Sequence, residues 1–395
     1  MRIDRRNFLI GSASAAAALA LKPGIALGTK AGSKLELGLI GCGGRGVWLA
    51  DLFEAHAEFK ITAVADYFED RAERSGERFQ VDASRRTSGL SAYKRLLEGK
   101  LDGVVIESPP YFHPEQAAAA VEAGRHVFVA KPIAVDVPGC RSIGESGKKA
   151  AEKKLAFLVD FQTRTSEFYR EAVKRVHQGD IGKFAMIQAD YQTGGTWGSP
   201  LFANAEERLK SWGATCALSG DIIVEQNIHA VDVATWFTGT DPIRAAGAGG
   251  RKVRTGSGDC WDHYAVVYTF PDDVIVDFSS TQYTKGFDDI CCRVFGALGT
   301  ADTHYFGAVS IIGDTPYKGG HHPNLYTDGA VWNIKEFHRM ITAGDFSNPT
   351  VAPSVRSNLT CVLGRLAARG RREVTWDEMT KANEKVDGKL EGLTD

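Results

Sequence analysis

No two cysteines in this chain stand at CxxC spacing, and their total of seven is odd. That speaks against both a disulfide framework and a zinc site. Cys291 and Cys292 are adjacent and do not readily bridge each other. Charge is equally balanced: the net value is −2 at pH 7 over 395 residues. Such a surface has no electrostatic reason to bind nucleic acid or a membrane. Internal repeats and low-complexity linkers are absent. With 43% hydrophobic and 24% charged residues the composition is that of an ordinary globular protein, long enough for two domains.

The apolar run Phe8 to Leu21 is too short to span ~30 Å of hydrocarbon comfortably. Arg5 and Arg6 precede it, and small residues such as Ala18 and Ala20 close it. A charged start, a short apolar middle and a small-residue end describe an export signal. The paired arginines followed by Phe8 and Leu9 resemble the twin-arginine type, which moves folded proteins. Residues 1–30 are therefore expected to be a signal segment and the mature protein to be periplasmic. Unpaired cysteines in an exported protein fit folding in a reducing compartment first.

From Leu35 onward, short apolar runs alternate with helical stretches. "LELGLI", "KITAVAD", "DGVVIES", "HVFVA" and "LAFLVDF" read as strands of a parallel sheet covered on both faces. Gly41, Gly43 and Gly46 form G-x-G-x-x-G between the first strand and a helix, and Asp66 ends the second strand twenty residues on. This is the dinucleotide fingerprint. The loop Gly41, Gly43, Gly44, Arg45 and Gly46 is expected to hold a pyrophosphate at the helix N-terminus. Asp66 would accept from an adenosine ribose and repel a 2′-phosphate, which favours NAD over NADP. Arg71, close in sequence, tempers that preference unless its helix face holds it in solvent.

The stretch "VVIESPPYFHPEQAAAAVEAGRHVFVAKPIAVD" resembles the Gfo/Idh/MocA oxidoreductases, whose pattern is Thr/Ser-Pro-x-x-x-His after a strand, then Glu-Lys-Pro after the next. Ser108, Pro109 and His113 match the first part, and Lys131-Pro132 the second. Two positions depart: Ala130 replaces the glutamate, and Glu107 stands where a small residue is usual. The resemblance implies that Ser108, Pro109, His113 and Lys131 face the cofactor. For His113 two placements stay open, near the nicotinamide or as a helix cap.

After Thr163 the alternation stops, and "FAMIQADYQT", "HYAVVYTF", "VIVDFSSTQY", "CCRVFG" and "VSIIGD" read as strands with few helices between. Pro271-Asp272-Asp273 marks a hairpin turn. The expected fold is thus α/β: a doubly wound Rossmann domain over 34–162 and an α+β domain with a large, mostly antiparallel sheet over 163–395. Its C-terminal segment has the option of packing back on the first domain.

"SGDIIVEQNIHAVDVATWFTG" reads as one helix from Ser219 to Gly239, with Glu225, His229 and Asp232 on one face and Val224, Ile228 and Val231 on another. Glu225 and His229 fall on the family's D-x-x-x-H positions, which implies His229 as base; Glu225 would orient its imidazole or hold a second hydroxyl. Lys131 would stabilise negative charge on the reacting oxygen. The resemblance also implies substrate contact at Arg164. Asn227 and Trp212 are further candidates, since indoles such as Trp212 and Trp197 beside a glycine-rich loop stack well on sugar faces. No metal is called for, and a homo-oligomer through the C-terminal sheet is expected.

The activity implied is hydride transfer between nicotinamide and a hydroxyl carbon of a sugar, polyol or glycoside. An exported enzyme cannot draw on a cytoplasmic cofactor pool, so NAD is expected to be tightly held. The alternatives are redox-neutral glycoside hydrolysis with bound NAD and, behind it, a non-catalytic sugar or NAD sensor.

Overall fold

The computed structural model describes residues 34–194 and 198–395. The expected signal segment and Trp197 lie outside them. Residues Leu35–Asp395 form one compact unit that carries two sheets.

The first sheet contains β1 (Leu35–Ile40), β2 (Phe59–Asp66), β3 (Arg86–Ser88), β4 (Gly103–Ile106), β5 (His126–Ala130) and β6 (Phe157–Asp160), in the order β3-β2-β1-β4-β5-β6. All its pairings are parallel. The order reverses between β1 and β4, and open parallel sheets bind ligands beyond the strand ends at that point. Five of the six strands were legible as apolar runs. The sixth, β3, is a three-residue edge strand, "RTS", with no hydrophobic signal. Val104, Val105, Ile106, Val127, Phe128 and Val129 are fully buried because helices cover both faces.

The second sheet contains β7 (Phe184–Gln192), β8 (Arg244–Gly250), β9 (His263–Thr269), β10 (Ile275–Thr281), β11 (Asp289–Gly296), β12 (Gly299–His304), β13 (Val309–Gly313), β14 (Tyr317–Gly320) and β15 (Val374–Thr375). The order is β14-β13-β12-β11-β7-β10-β9-β8-β15. Only β7 and β10 pair in parallel; β9 and β10 form the hairpin around Pro271–Asp273. β8 ("RAAGAGG") and β12 ("GTADTH") lack the large alternating residues by which strands are recognised.

Two long helices from the C-terminal part bind the first sheet. On Leu325–Ala343, Ile334, Phe337 and Met340 join the cluster of Leu37, Phe53, Phe59 and Phe128. The Phe59 and Phe337 rings stack at 5.9 Å, and Phe337 meets Phe53 and Phe128 edge-on. On Val351–Gly370, Asn358 accepts from Ile133 N–H at 3.1 Å and donates to Ala134 O at 3.1 Å. That helix therefore fixes the chain directly after Lys131.

The segment expected to be one helix is two, Ile222–Glu225 and Ile228–Thr238. Asp221 is the cause of the first start. It holds φ +75°, a costly backbone for a residue with a Cβ. Its carboxylate accepts from Ile222 N–H (2.8 Å), Trp261 N–H (2.9 Å), Tyr264 Oη (2.6 Å) and Arg369 Nε (2.9 Å). Arg369, in the last turn of the helix Val351–Gly370, is thus tied to a buried acid.

Candidate active site

β1 turns into the helix Gly44–His56 through the glycine loop. Gly41 has φ +97°, and a Cβ there would sit 2.5 Å from the Glu107 backbone. Gly46 would meet Gly41 O at 2.0 Å, so the helix can approach the strand only with glycine there. Around Gly43 and Gly44 nothing lies within 4 Å of an added Cβ. The helix has no side-chain cap, so its first N–H groups face an open cradle. These features fit a pyrophosphate on the helix N-terminus.

One pocket runs from Gly41 and Gly43 along Asp66, Phe68, Arg71, Leu90 and Phe112. Asp66 is half-buried, and its carboxylate accepts from Cys42 N–H (2.7 Å) and Phe68 N–H (2.9 Å). Burial raises its pKa and those N–H groups oppose the rise. Arg71 lines the same pocket, its guanidinium 4.7 Å from the Phe68 ring centroid; the helix face does not carry it away into solvent.

A second cavity is lined by Arg45, Glu107, Ser108, His113, Lys131, Gln162, Tyr191, Trp212, Glu225, Gln226, His229, Tyr305, Phe306 and Tyr326. Glu107, Ser108 and Trp212 line both spaces and form the boundary between them. The two sheets converge here, with Arg45, Glu107 and Lys131 from the first and Glu225, His229 and Tyr305 from the second part.

Lys131 Nζ donates to Glu225 O at 2.7 Å and stands 4.0 Å from Glu225 Oε1. Its pKa is lowered by burial, Glu225 opposing and Arg45 adding to the shift. His229 is 8% exposed, and its Nδ1 has no hydrogen-bond partner. Tyr305 and Phe161 meet its ring edge-on. Burial first, then the cations Lys131 and Arg45, push its pKa well below the usual value. The imidazole is neutral, with an acceptor nitrogen available, but it is a weaker base than its exposed form.

His113 begins the helix His113–Glu122 and is buried. Its Nδ1 lies 2.9 Å from Pro132 O and its Nε2 2.6 Å from Ser108 O. Burial brings its pKa down to about 4 against the pull of those carbonyls. The neutral ring has one N–H and donates to one of these carbonyls, so it is held between the Ser108 loop and the Lys131-Pro132 segment and not turned to the cofactor.

Two expected substrate contacts are elsewhere. Arg164 is spent on Asp232, with Nε to Oδ2 at 2.9 Å and Nη2 to Oδ1 at 2.8 Å, and its guanidinium lies 4.9 Å from the Trp236 ring centroid. Arg164 does not line the cavity, and Asp232, fully buried, does not either. The pair locks the helix Ile228–Thr238 to the segment after β6, a packing role that spacing alone did not reveal. Asn227 is fully buried, outside the cavity lining, with neither amide atom hydrogen-bonded.

Three charged residues add a layer that the motif reading did not assemble. Arg45 Nη2 reaches Asp160 Oδ2 at 2.5 Å, Arg45 Nε reaches Glu107 Oε2 at 3.2 Å, and Arg45 Nη1 donates to Tyr326 Oη at 2.5 Å. Asp160 also accepts from Asn333 Nδ2 (2.8 Å) and Gln162 Nε2 (3.0 Å). Asp160 ends β6, and the rule that ligands gather at strand C-termini is the signal that points to it. Tyr305 and Phe306 arrive from the turn after β12 and Tyr326 from the start of the helix Leu325–Ala343, with no local signal.

Among the described residues one trio, Asp289, Cys291 and His304, brings metal-ligand atoms within 4.8 Å of one another. It does not line the cavity. His304 Nδ1 is already 2.9 Å from Asp289 Oδ1, and Arg293 Nη2 is 3.5 Å from Asp289 Oδ2.

Residues 35–161 match the family model described as oxidoreductase family, NAD-binding Rossmann fold, and 169–302 match the GFO/IDH/MocA C-terminal domain. Together the two cover well over half of the chain. Among curated proteins it is similar to an inositol 2-dehydrogenase of Burkholderia lata, 26% identical over 68% of this chain and 73% of that protein. An inositol 2-dehydrogenase of Ralstonia nicotianae is 28% identical over 70% and 76%. Among solved structures, a levoglucosan dehydrogenase in complex with NADH and levoglucosan shares the fold with TM-score 0.71 at 18% identity, over 87% of this chain and 99% of that one. An aldose-aldose oxidoreductase from Caulobacter crescentus does so with TM-score 0.66 at 18% identity, over 87% and 99%. With two matched family models in their expected order on the two sheets just described, the chain belongs to the Gfo/Idh/MocA family of NAD-binding oxidoreductases.

Proposed function

We propose that this oxidoreductase transfers a hydride between NAD and a hydroxyl-bearing carbon of a sugar or polyol. The observation that carries the reading is the convergence of Lys131, Glu225 and His229 on one cavity that adjoins the glycine-loop pocket across Glu107, Ser108 and Trp212. The inositol 2-dehydrogenase relatives support the substrate class.

A nicotinamide bound there supplies the hydride acceptor. Oxidation of an alcohol also requires that its O–H proton leave, and the chain provides for that. Lys131, whose neutral form burial favours by lowering its pKa, takes that proton, and once protonated it stabilises negative charge on the same oxygen. His229, neutral, accepts a hydrogen bond from a substrate hydroxyl. Glu225 holds Lys131 through its backbone carbonyl and offers its carboxylate to a second hydroxyl. Trp212, at the boundary, presents an indole to the ring that enters.

Asp66 at the end of β2 supports NAD over NADP, because its carboxylate would face a 2′-phosphate. Export by the leader at Arg5-Arg6 and tight retention of NAD are parts of the same reading. Retention follows from mass action: where free NAD is scarce, an occupied site needs a dissociation constant far below that concentration. Assembly through the open face of the second sheet is also proposed, since Met186, Val267, Phe295 and Ile312 stand exposed on it. Light scattering of the purified protein tests assembly, and fractionation of an Arg5→Lys, Arg6→Lys double variant tests export.

The deciding experiment is mass spectrometry of the denatured purified protein for released nucleotide, followed by incubation with inositols, free sugars and glycosides without added cofactor. Bound NAD and a single-turnover absorbance change with a polyol or sugar are expected. An empty site with no reduction of added NAD or NADP by any of these would sink the proposal. Glycoside cleavage without net reduction would select the redox-neutral alternative.

A further inference from the structure

The carboxyl of Glu107 has no place in the chemistry described so far, yet it sits at the boundary of the cofactor pocket and the catalytic cavity. Its side chain is 1% exposed. Oε2 faces Arg45 Nε at 3.2 Å, whereas Oε1 is buried without a hydrogen-bond partner. Asp160, the neighbouring acid on Arg45, differs in this respect. Its two oxygens take donors from Arg45, Gln162 and Asn333, which hold it as a carboxylate. A buried carboxyl with one bare oxygen is costly as an anion and is the group in the cluster best able to carry a proton.

Resting on the nicotinamide reading above, we propose that Glu107 is a proton store: Oε1 loses its proton when a positively charged oxidised nicotinamide lies beside it and is protonated when the ring is neutral. Burial drives the pKa of Glu107 up to about 7, with Asp160 reinforcing the rise and Arg45 and Lys131 opposing it. Those three are the charged groups that face it, from β6, the glycine-loop helix and the end of β5. An added positive charge within about 4–6 Å lowers a carboxyl pKa by ~1–3 units. Starting near 7, a change of that size carries Glu107 across neutrality.

The accounting for alcohol oxidation then closes inside the protein. The C–H electron pair leaves with hydride, the O–H bond breaks, the C=O bond forms, and the O–H proton, accepted first by Lys131, comes to rest on Glu107. In the reverse direction both hydride and proton are in place for an incoming carbonyl. That arrangement suits an enzyme whose cofactor is reoxidised without leaving.

Calorimetric titration of nucleotide-free full-length protein with NAD+ and with NADH, at pH 7 in phosphate and in Tris, reads the protons exchanged on binding. NAD+ is expected to release roughly half a proton more than NADH, as for a group near its midpoint. Glu107→Gln should abolish that difference while still binding both nucleotides, and Glu107→Asp should restore it with its maximum at a shifted pH. Equal proton counts for the two redox forms in the wild type, or a difference that survives in Glu107→Gln, would overturn the store. If Glu107→Gln does not fold, the wild-type comparison and the Glu107→Asp shift decide. Failure of either nucleotide to bind overturns the nicotinamide reading itself, an outcome distinct from binding without proton linkage.

Discussion

Lys131 Nζ donates to the backbone carbonyl of Glu225 at 2.7 Å. The lysine directly follows a strand of the first sheet, and the carbonyl belongs to the end of the short helix Ile222–Glu225. Helix ends leave carbonyls without intrahelical partners, so the break in that helix is what offers Lys131 its acceptor. The strained Asp221 and its partner Arg369 hold the start of that short helix in place.

Replacing Lys131 by Met or His229 by Ala should lower kcat by ~10²–10⁴-fold, the range for a positioned proton-transfer group. NAD affinity should change little, because neither side chain faces the glycine cradle. Stopped-flow reduction and a fluorescence titration separate the two effects. Because Lys131 has a depressed pKa, alcohol oxidation should rise with pH through that pKa and level off below the usual lysine range.

Asp66→Ala should weaken NAD and strengthen NADP binding, since Arg71 remains in the same pocket. Titration with both nucleotides checks it. An unchanged ratio would mean that the adenosine ribose lies elsewhere.

Arg164→Leu leaves the fully buried Asp232 without its bidentate partner. Removing one member of a buried ion pair costs about 3–5 kcal/mol. A fall in Tm is expected before any change in KM. A raised KM at unaltered Tm would return Arg164 to the substrate.

Glu107 sets a pH dependence of stability. Its folded-state pKa is about 7 against an ordinary 4.5, so its contribution is fully present below about 4.5 and is lost as pH rises through 7. Between those limits the wild type should lose on the order of 1–3 kcal/mol relative to Glu107→Gln. Urea denaturation at several pH values measures the difference.

The segment 386–395 crosses the rim of the cofactor pocket. Leu90 N–H donates to Thr394 O at 3.2 Å, and Ser91 N–H donates to Asp395 Oδ1 at 2.6 Å. Leu390 and Leu393 pack beside Phe68 and Trp212. Deleting 386–395 should speed NAD dissociation at least several-fold with little change in the hydride step, as nucleotide-release kinetics would show.

Local information sufficed for much of this protein. The glycine spacing, Asp66, the five long strands of the first sheet and Lys131 were readable because strand period, turn chemistry and helix-terminus electrostatics act over a few residues. Glu225 and His229 were singled out by their four-residue spacing together with the family resemblance, and the helix that was to carry them is two. Tertiary structure decided what each group became. Arg164 was drawn to Asp232 instead of the cavity, and His113 was buried between two carbonyls. Arg45, Glu107, Asp160 and Lys131 lie far apart in the chain and were brought into one buried cluster only when strand ends and loops converged. A charge in that cluster is governed by desolvation and by its neighbours, and neither exists until the chain has folded.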